Sequence, residues 1–158
     1  MNDPILLLHV FRVLSFRSID GDTVAVELDR SFGDRSVKSI RLLGLDTPEN
    51  TGSTREVGRA VTNLVGRWFE LRLTKPGVHI WSVQLDSRGR SLARVYPADQ
   101  SVFSATLNNF LLDNGLALPY DGEGKRPVWT GEQLGHAKLT AERILAEWQS
   151  VTTGTNKT

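Results

Sequence analysis

Asp20-Gly21-Asp22-Thr23-Val24-Ala25-Val26-Glu27-Leu28 is a turn signal followed at once by alternation. Val24, Val26 and Leu28 fall on one face at period two, the pattern of a half-buried strand. Asp20-Gly21 is a strong hairpin signal, because a type I′ turn needs positive φ at both central positions. Upstream, Leu6 to Ile19 is rich in Val, Leu, Phe and Ile and reads as a long or bent strand folding back on Thr23–Leu28. Asp29 to Ser36 is a polar connection. Val37 to Leu45 is the next strand, and Gly44 within it predicts a bulge or a close backbone approach.

Past this hairpin the period changes. Asp46 to Thr54 is a loop of turn-formers. From Arg55, Val57, Ala60, Val61, Leu64, Val65, Trp68 and Phe69 recur at helical spacing. Glu70 to Lys75 and Val78 to Leu85 read as strands joined by Pro76-Gly77, and Ser91 to Tyr96 as another. A second helix is expected from Ser101 to Asn114, with Phe103, Leu107, Phe110 and Leu111 inward and Gly115 as its C-cap. Pro119 to Pro127 is a loop. A third helix from Thr130 to Gln149 presents Leu134, Ala137, Ala141, Ile144, Leu145 and Trp148, and a flexible tail covers 151–158. The expectation is one α+β domain over residues 1–150: a small barrel such as an OB-fold, packed by helices.

The chain has 158 residues and a formal net charge of +1. That length suits one domain with a proper core. The charge is far from the basic balance of a protein that grips many phosphates, so any nucleic-acid contact is expected to be local. There is no cysteine, which excludes disulfides, thiol catalysis and cysteine-ligated zinc. The longest apolar run, near Ile5–Leu8, is far below membrane-spanning length. It follows no Lys or Arg and precedes no small-residue cleavage site, which is unlike a signal peptide. The expected setting is cytoplasmic or release by lysis, or secretion if the given start follows processing; a monomer with no membrane partner is expected.

The chemistry-bearing residues cluster at strand ends. Asp22 follows the predicted hairpin turn, and Asp46 ends the next strand. If barrel closure brings them together, two carboxylates and a main-chain carbonyl would hold Ca²⁺ or Mg²⁺ with room for phosphate and water. Glu49 is placed to take a proton from water. Arg41 and Arg90 are placed to neutralise charge on a phosphorus centre. Each has a simpler reading alone: Asp20-Gly21 makes a turn, Asp46 an Asx-type cap, Glu49 is a surface glutamate and Arg41 a snorkelling arginine. Tyr120 with Lys125 and Arg126 could stack on a base and touch phosphate, or form a solvated loop. His9, His79 and His136 have no metal-ligand spacing. Trp68 and Trp148 fall on helix stripes, while Trp129 is open between the two roles.

Together and in this order, Ile19-Asp20-Gly21-Asp22-Thr23, Arg41-Leu42-Leu43-Gly44-Leu45-Asp46-Thr47-Pro48-Glu49, Asp86 through Arg90 with Leu92-Ala93, and Leu107-Asn108 through Gly115-Leu116-Ala117 with Tyr120 resemble the staphylococcal nuclease family. The resemblance runs from about Phe16 to Tyr120. It implies a five-stranded OB-fold β-barrel with three α-helices, and a Ca²⁺-dependent nuclease acting on DNA and RNA to leave 3′-phosphate and 5′-hydroxyl ends. By matching position, Asp22 and Asp46 would bind calcium through carboxylates and Thr47 through its main-chain oxygen. Arg41 and Arg90 would hold the scissile phosphate, Glu49 would be the general base, and Tyr120 would lie near the nucleotide. Arg88 and Lys125, cations of the neighbouring loops, are expected as further substrate contacts on their charge alone. The alternative is a non-catalytic OB-fold module that binds nucleic acid. Thr54-Arg55-Glu56-Val57-Gly58-Arg59-Ala60 departs from the G-x-E-A common at the family's first helix. Val78–Leu85 is more apolar than its counterpart there, and the Gly122–Arg126 loop also differs.

Overall fold

The computed structural model describes residues 9–100 and 105–153, with side chains as far as Ser150. Strands β1 (Val10–Ser18), β2 (Thr23–Asp29) and β3 (Arg35–Leu42) form a meander. A two-residue strand, β4 (Leu45–Asp46), follows it. Strands β5 (Val78–Leu85) and β6 (Ser91–Pro97) then close a barrel in the order β1-β2-β3-β6-β5. Only the β3–β6 pairing is parallel among the barrel neighbours. Counting the barrel strands alone, this is the 1-2-3-5-4 order of an OB-fold-like barrel. Helices α1 (Arg55–Arg72), α2 (Leu107–Asp113) and α3 (Gly131–Thr153) pack on it. A final two-residue strand, β7 (Leu118–Pro119), pairs with β4. The fold is α+β. Among the described residues no helix is long and apolar enough to cross a membrane.

Alternation in the strands and the helical stripe of α1 meet in one core. Val24, Val26, Ile40 and Leu42 from the barrel, and Val61, Leu64, Val65 and Phe69 from α1, are all buried. Phe69 stacks on Phe16 of β1 with ring centroids 4.9 Å apart, which seats α1 against the barrel. Helix α3 begins at a capping box. The Gln133 amide donates to Thr130 Oγ1 at 3.1 Å, and the Thr130 amide donates to Gln133 Oε1 at 2.9 Å. Helix α2 ends in a Schellman motif. Leu116 N–H reaches the Leu111 carbonyl and Gly115 N–H the Leu112 carbonyl, with Gly115 at φ +67°.

Several element expectations are corrected. Glu70–Lys75 is not a strand: α1 runs through Glu70 to Arg72 and caps at Leu73. The helical period continues past Phe69, since the Arg72 guanidinium lies over the Trp68 ring four residues earlier, 4.6 Å from its centroid. β3 ends at Leu42 rather than Leu45, because Gly44 at φ +84° turns the chain into β4. A Cβ at Gly44 would meet nothing within 4 Å, so the glycine serves the turn and not a close approach. Helix α2 starts at Leu107 because Thr106 caps it, its side chain accepting from the Asn109 amide at 3.0 Å. Phe103 and the remainder of 101–104 lie outside the described residues. Helix α3 runs on to Thr153, and the rest of the expected tail, 154–158, lies outside them too, as does the Leu6–Leu8 start of the first strand.

One polar side chain clamps the barrel. Asn108 is 1% exposed. Its Nδ2 donates to the carbonyls of Leu43 and Ala93, both at 3.0 Å, and its Oδ1 accepts from the Val95 amide at 3.1 Å. It thereby fastens α2 to β6 and to the turn that leads into β4. Asn108→Ala takes the partner from the Val95 amide and the Leu43 carbonyl, while the Ala93 carbonyl keeps the Leu43 amide. We expect it to cost on the order of 3 kcal/mol, read as a lower midpoint in urea with an unchanged slope. A loss within experimental error would contradict this role.

Candidate active site

The site forms where β2 begins and β3 ends. Thr23 pairs with Arg41, and the Leu42 amide donates to the Asp22 carbonyl at 2.8 Å. One turn further on, β4 brings Asp46, and Thr47 just after it, to the same place. Asp22, Asp46, Thr47 and Arg41 are 2%, 3%, 2% and 8% exposed, respectively. Arg41 Nη2 lies 3.4 Å from Asp22 Oδ2 and 3.7 Å from Asp46 Oδ1. Arg41 does not snorkel to solvent; it is buried against the two carboxylates. The Thr47 amide donates to Asp22 Oδ2 at 3.3 Å and the Thr23 hydroxyl to Asp22 Oδ1 at 2.9 Å.

Close backbone approach makes this convergence possible. Gly21 does not have positive φ among the described glycines that do, so the type I′ reading of Asp20-Gly21 does not hold. A Cβ there would meet Thr47 Oγ1 at 2.7 Å and Val61 at 2.8 Å. Gly21 is therefore the space into which Thr47 and α1 pack. Gly58 does the same for Glu49, since a Cβ on it would come within 2.3 Å of the Glu49 carbonyl oxygen. Asn50 then ties the loop down, its Nδ2 donating to the Ile19 carbonyl at 3.0 Å while its Oδ1 accepts from the Thr62 hydroxyl at 3.0 Å.

Trp129, which the sequence left open, and Arg126, read there with Lys125 as able to touch phosphate, complete the site. The Trp129 indole N–H donates to Asp46 Oδ2 at 3.1 Å. Arg126 is the cation from the Pro119–Pro127 loop that reaches the carboxylates, a contact the sequence reading did not give it. Its Nε lies 3.1 Å from Asp46 Oδ1, its Nη2 4.0 Å from Asp22 Oδ2, and its Nη1 pairs with Glu49 Oε1. Lys125 is exposed. Neighbouring cations on a glycine-rich loop (Gly122 and Gly124 both have positive φ) give no sequence signal for which one turns inward.

Arg90 is held at the β5–β6 turn. Its Nε meets Asp86 Oδ2 at 2.8 Å, and Asp86 Oδ1 accepts from the amides of Arg88 and Arg90, each at 2.9 Å. Burial works to raise the Asp86 carboxyl, but those amide hydrogen bonds and the Arg90 guanidinium prevail and hold it below the usual carboxylate range. A cleft of about 520 Å³ opens here, lined by Arg41, Arg88, Arg90, Tyr120 and Arg126 together with Asp86, Asp121 and Glu123. Tyr120 is tied by its amide to the Gly44 carbonyl at 3.0 Å and by its hydroxyl to the Gly124 carbonyl at 3.0 Å. β5 is bulged between Ser82 and Gln84, leaving Val83 and Leu85 exposed beside this cleft. The three histidines lie elsewhere: His79 packs edge-on against Tyr96 and His136 reaches the Asn114 carbonyl.

The electrostatics are strained. Burial first, and then the Asp22 charge, raise the Asp46 carboxyl above its ordinary value, against the Trp129 N–H, Arg126 and Arg41. Asp20 is raised for the same two reasons, against Arg126, Arg41 and Arg90. Asp20 Oδ1, Asp46 Oδ1, Thr47 Oγ1 and Arg41 Nη2 are buried with no hydrogen-bond partner. Native interiors rarely leave such atoms unmatched, and a ligand is one explanation. Three of the four are oxygens, the donor type that a hard cation takes, and the fourth is the Arg41 guanidinium nitrogen. Among the described residues no three acidic, histidine or cysteine side chains form a metal cage. Asp22 and Asp46 would therefore supply two anionic ligands, and water or phosphate oxygens the rest of the roughly six to eight that Ca²⁺ takes.

The chain matches no model of a known protein family and no curated protein sequence.

A buried carboxylate with a raised pKa costs stability above that pKa, and the cost vanishes as pH falls through it toward the unfolded-state value. Asp20→Asn is therefore expected to raise the thermal midpoint of the metal-free protein at pH 7. The gain should shrink steadily on acidification. An unchanged or lower midpoint at pH 7 would show that the Asp20 charge is stabilised where it sits.

Proposed function

We propose that the chain is a cation-dependent phosphodiesterase of nucleic acids: the Ca²⁺-dependent nuclease, acting on DNA and RNA, that its resemblance to the staphylococcal nuclease family implies. The observation that carries the reading is the buried pair Asp22 and Asp46 around Arg41, with Glu49 beside them, at the mouth of an arginine-lined cleft. A monoanionic phosphodiester has no partner in a carboxylate cluster alone. It has one where carboxylates and guanidinium groups share a wall.

Asp22, Asp46 and the Thr47 main-chain oxygen would hold Ca²⁺. When bound, the cation supplies positive charge beside the scissile phosphate and a hard site for water. Arg41 and Arg90 bind the non-bridging oxygens, and their charge counts most as electron density builds there in the transition state. Glu49 takes a proton from water as the water oxygen bonds to phosphorus. The phosphorus–O5′ bond breaks on the opposite side, its electron pair leaves with O5′, and solvent protonates it to the 5′-hydroxyl. The phosphate stays on the 3′ side. Tyr120 and Arg88 line the cleft where a base and a flanking phosphate would lie. The net charge of +1 keeps contact local to this groove.

Cleavage of a labelled single-stranded DNA and RNA is expected with calcium and not with a chelator, giving 3′-phosphate ends. Arg90→Ala and Glu49→Gln should each lower kcat by about a hundredfold or more while the fold survives, and Arg41→Ala should lower it as much at a cost in stability, since it strips the counter-ion from two buried carboxylates. Folded wild-type protein that binds these strands without cutting them, or duplex, under any divalent cation would instead support the non-catalytic binding module.

A further inference from the structure

Arg126 contacts all three carboxylates assigned to cation binding and proton transfer, and does so from a loop. Arg41 is fixed at the end of β3 with its side chain 10% exposed, whereas the Arg126 side chain is 43% exposed. Arg126 has room to leave the carboxylates and Arg41 has none. Asp46 Oδ2 is taken by the Trp129 indole, so Oδ1 is the oxygen free to bind an ion. That oxygen faces Arg126 Nε at 3.1 Å without an aligned hydrogen bond. It is a charge contact over a buried acceptor, not a fitted bidentate pair.

We propose that Arg126 is a built-in counter-ion: its guanidinium and a divalent cation compete for Asp22, Asp46 and Glu49, and the displaced guanidinium turns to the substrate phosphate. This rests on the cation-dependent reading above. Charge favours the exchange. Asp22, Asp46 and Glu49, with Asp20 beside them, carry four negative charges, which Arg41 and Arg126 together reduce to two. A divalent cation in place of Arg126 reduces them to one. The exchange also frees the base, because Glu49 Oε1 is occupied by the guanidinium until Arg126 leaves. Arg126 already lines the cleft beside Arg41 and Arg90, so leaving the carboxylates delivers its charge to where a phosphate would sit. One residue thus offsets part of the cluster's charge without metal, sets the cation concentration at which the site opens, and adds a third guanidinium to the substrate.

The test is a calorimetric calcium titration of the intact wild-type protein, Arg126→Ala and Arg126→Lys without nucleic acid, with Trp129 emission followed in parallel and Trp129→Phe as its blank. Competition predicts calcium binding about tenfold tighter in Arg126→Ala, with the lysine variant between. It also predicts a lower thermal midpoint for Arg126→Ala without calcium and recovery with it. With calcium saturating, KM for DNA should rise in Arg126→Ala. Equal or weaker calcium binding by folded Arg126→Ala, with wild-type binding intact, overturns the competition and leaves the cation site standing. No binding by either protein overturns both. Arg126→Gln serves the same comparison if the alanine variant does not fold.

Discussion

Two carboxylates buried side by side at the end of a barrel form the constraint around which the rest of this molecule is arranged. Asp22 and Asp46 are almost fully withdrawn from water, and desolvated like charges of this kind are costly unless positive charge comes with them. Arg41 comes from the adjoining strand end and Arg126 from a distant loop to meet them. Even so, both Asp46 and Asp20 remain raised, and several polar atoms in the cluster have no hydrogen bond. A protein selected only for stability would replace such a cluster with apolar side chains. Its persistence is understandable if the missing charge arrives with a ligand.

The scaffold is built to hold that arrangement. The parallel β3–β6 pairing sets the Arg41 strand end against β6, next to the turn that carries Arg88 and Arg90. Asn108 fastens the same two strands from below through backbone groups of Leu43, Ala93 and Val95. Gly21 and Gly58 remove the side chains that would keep Thr47 and Glu49 away from α1. Asn50 bridges the Asp20 turn and α1. Each functional group therefore sits on a strand end or on a loop pinned by hydrogen bonds to two elements, which limits the reorganisation needed at the reacting centre.

Much of this was legible in the residues. Period two in Val24–Leu28 and the stripe from Val57 to Phe69 locate β2 and α1, because burial on one face leaves a repeating signature. The Asp22 and Asp46 positions could be named because turn residues end strands. What was not legible depends on geometry across the chain. Glu70-Leu71-Arg72-Leu73 alternates polar and apolar as a strand would, but its residues are helix formers, and α1 runs on to Arg72, whose guanidinium packs on Trp68. Gly21 was read for its φ when its work is steric. Lys125 and Arg126 are adjacent and chemically alike, so only the backbone of the Gly122–Gly124 turn decides which reaches the carboxylates. Trp129 lies 83 residues from Asp46 along the chain, and no local pattern links them.

The most direct test of the account is a crystal structure of the protein grown with calcium, with the ion located by its anomalous scattering. The account predicts one ion between the Asp22 and Asp46 carboxylates, on Asp46 Oδ1, with Arg126 withdrawn toward the cleft. Calcium-saturated crystals with no ion there, and Arg126 still seated on Asp22, Asp46 and Glu49, would contradict it.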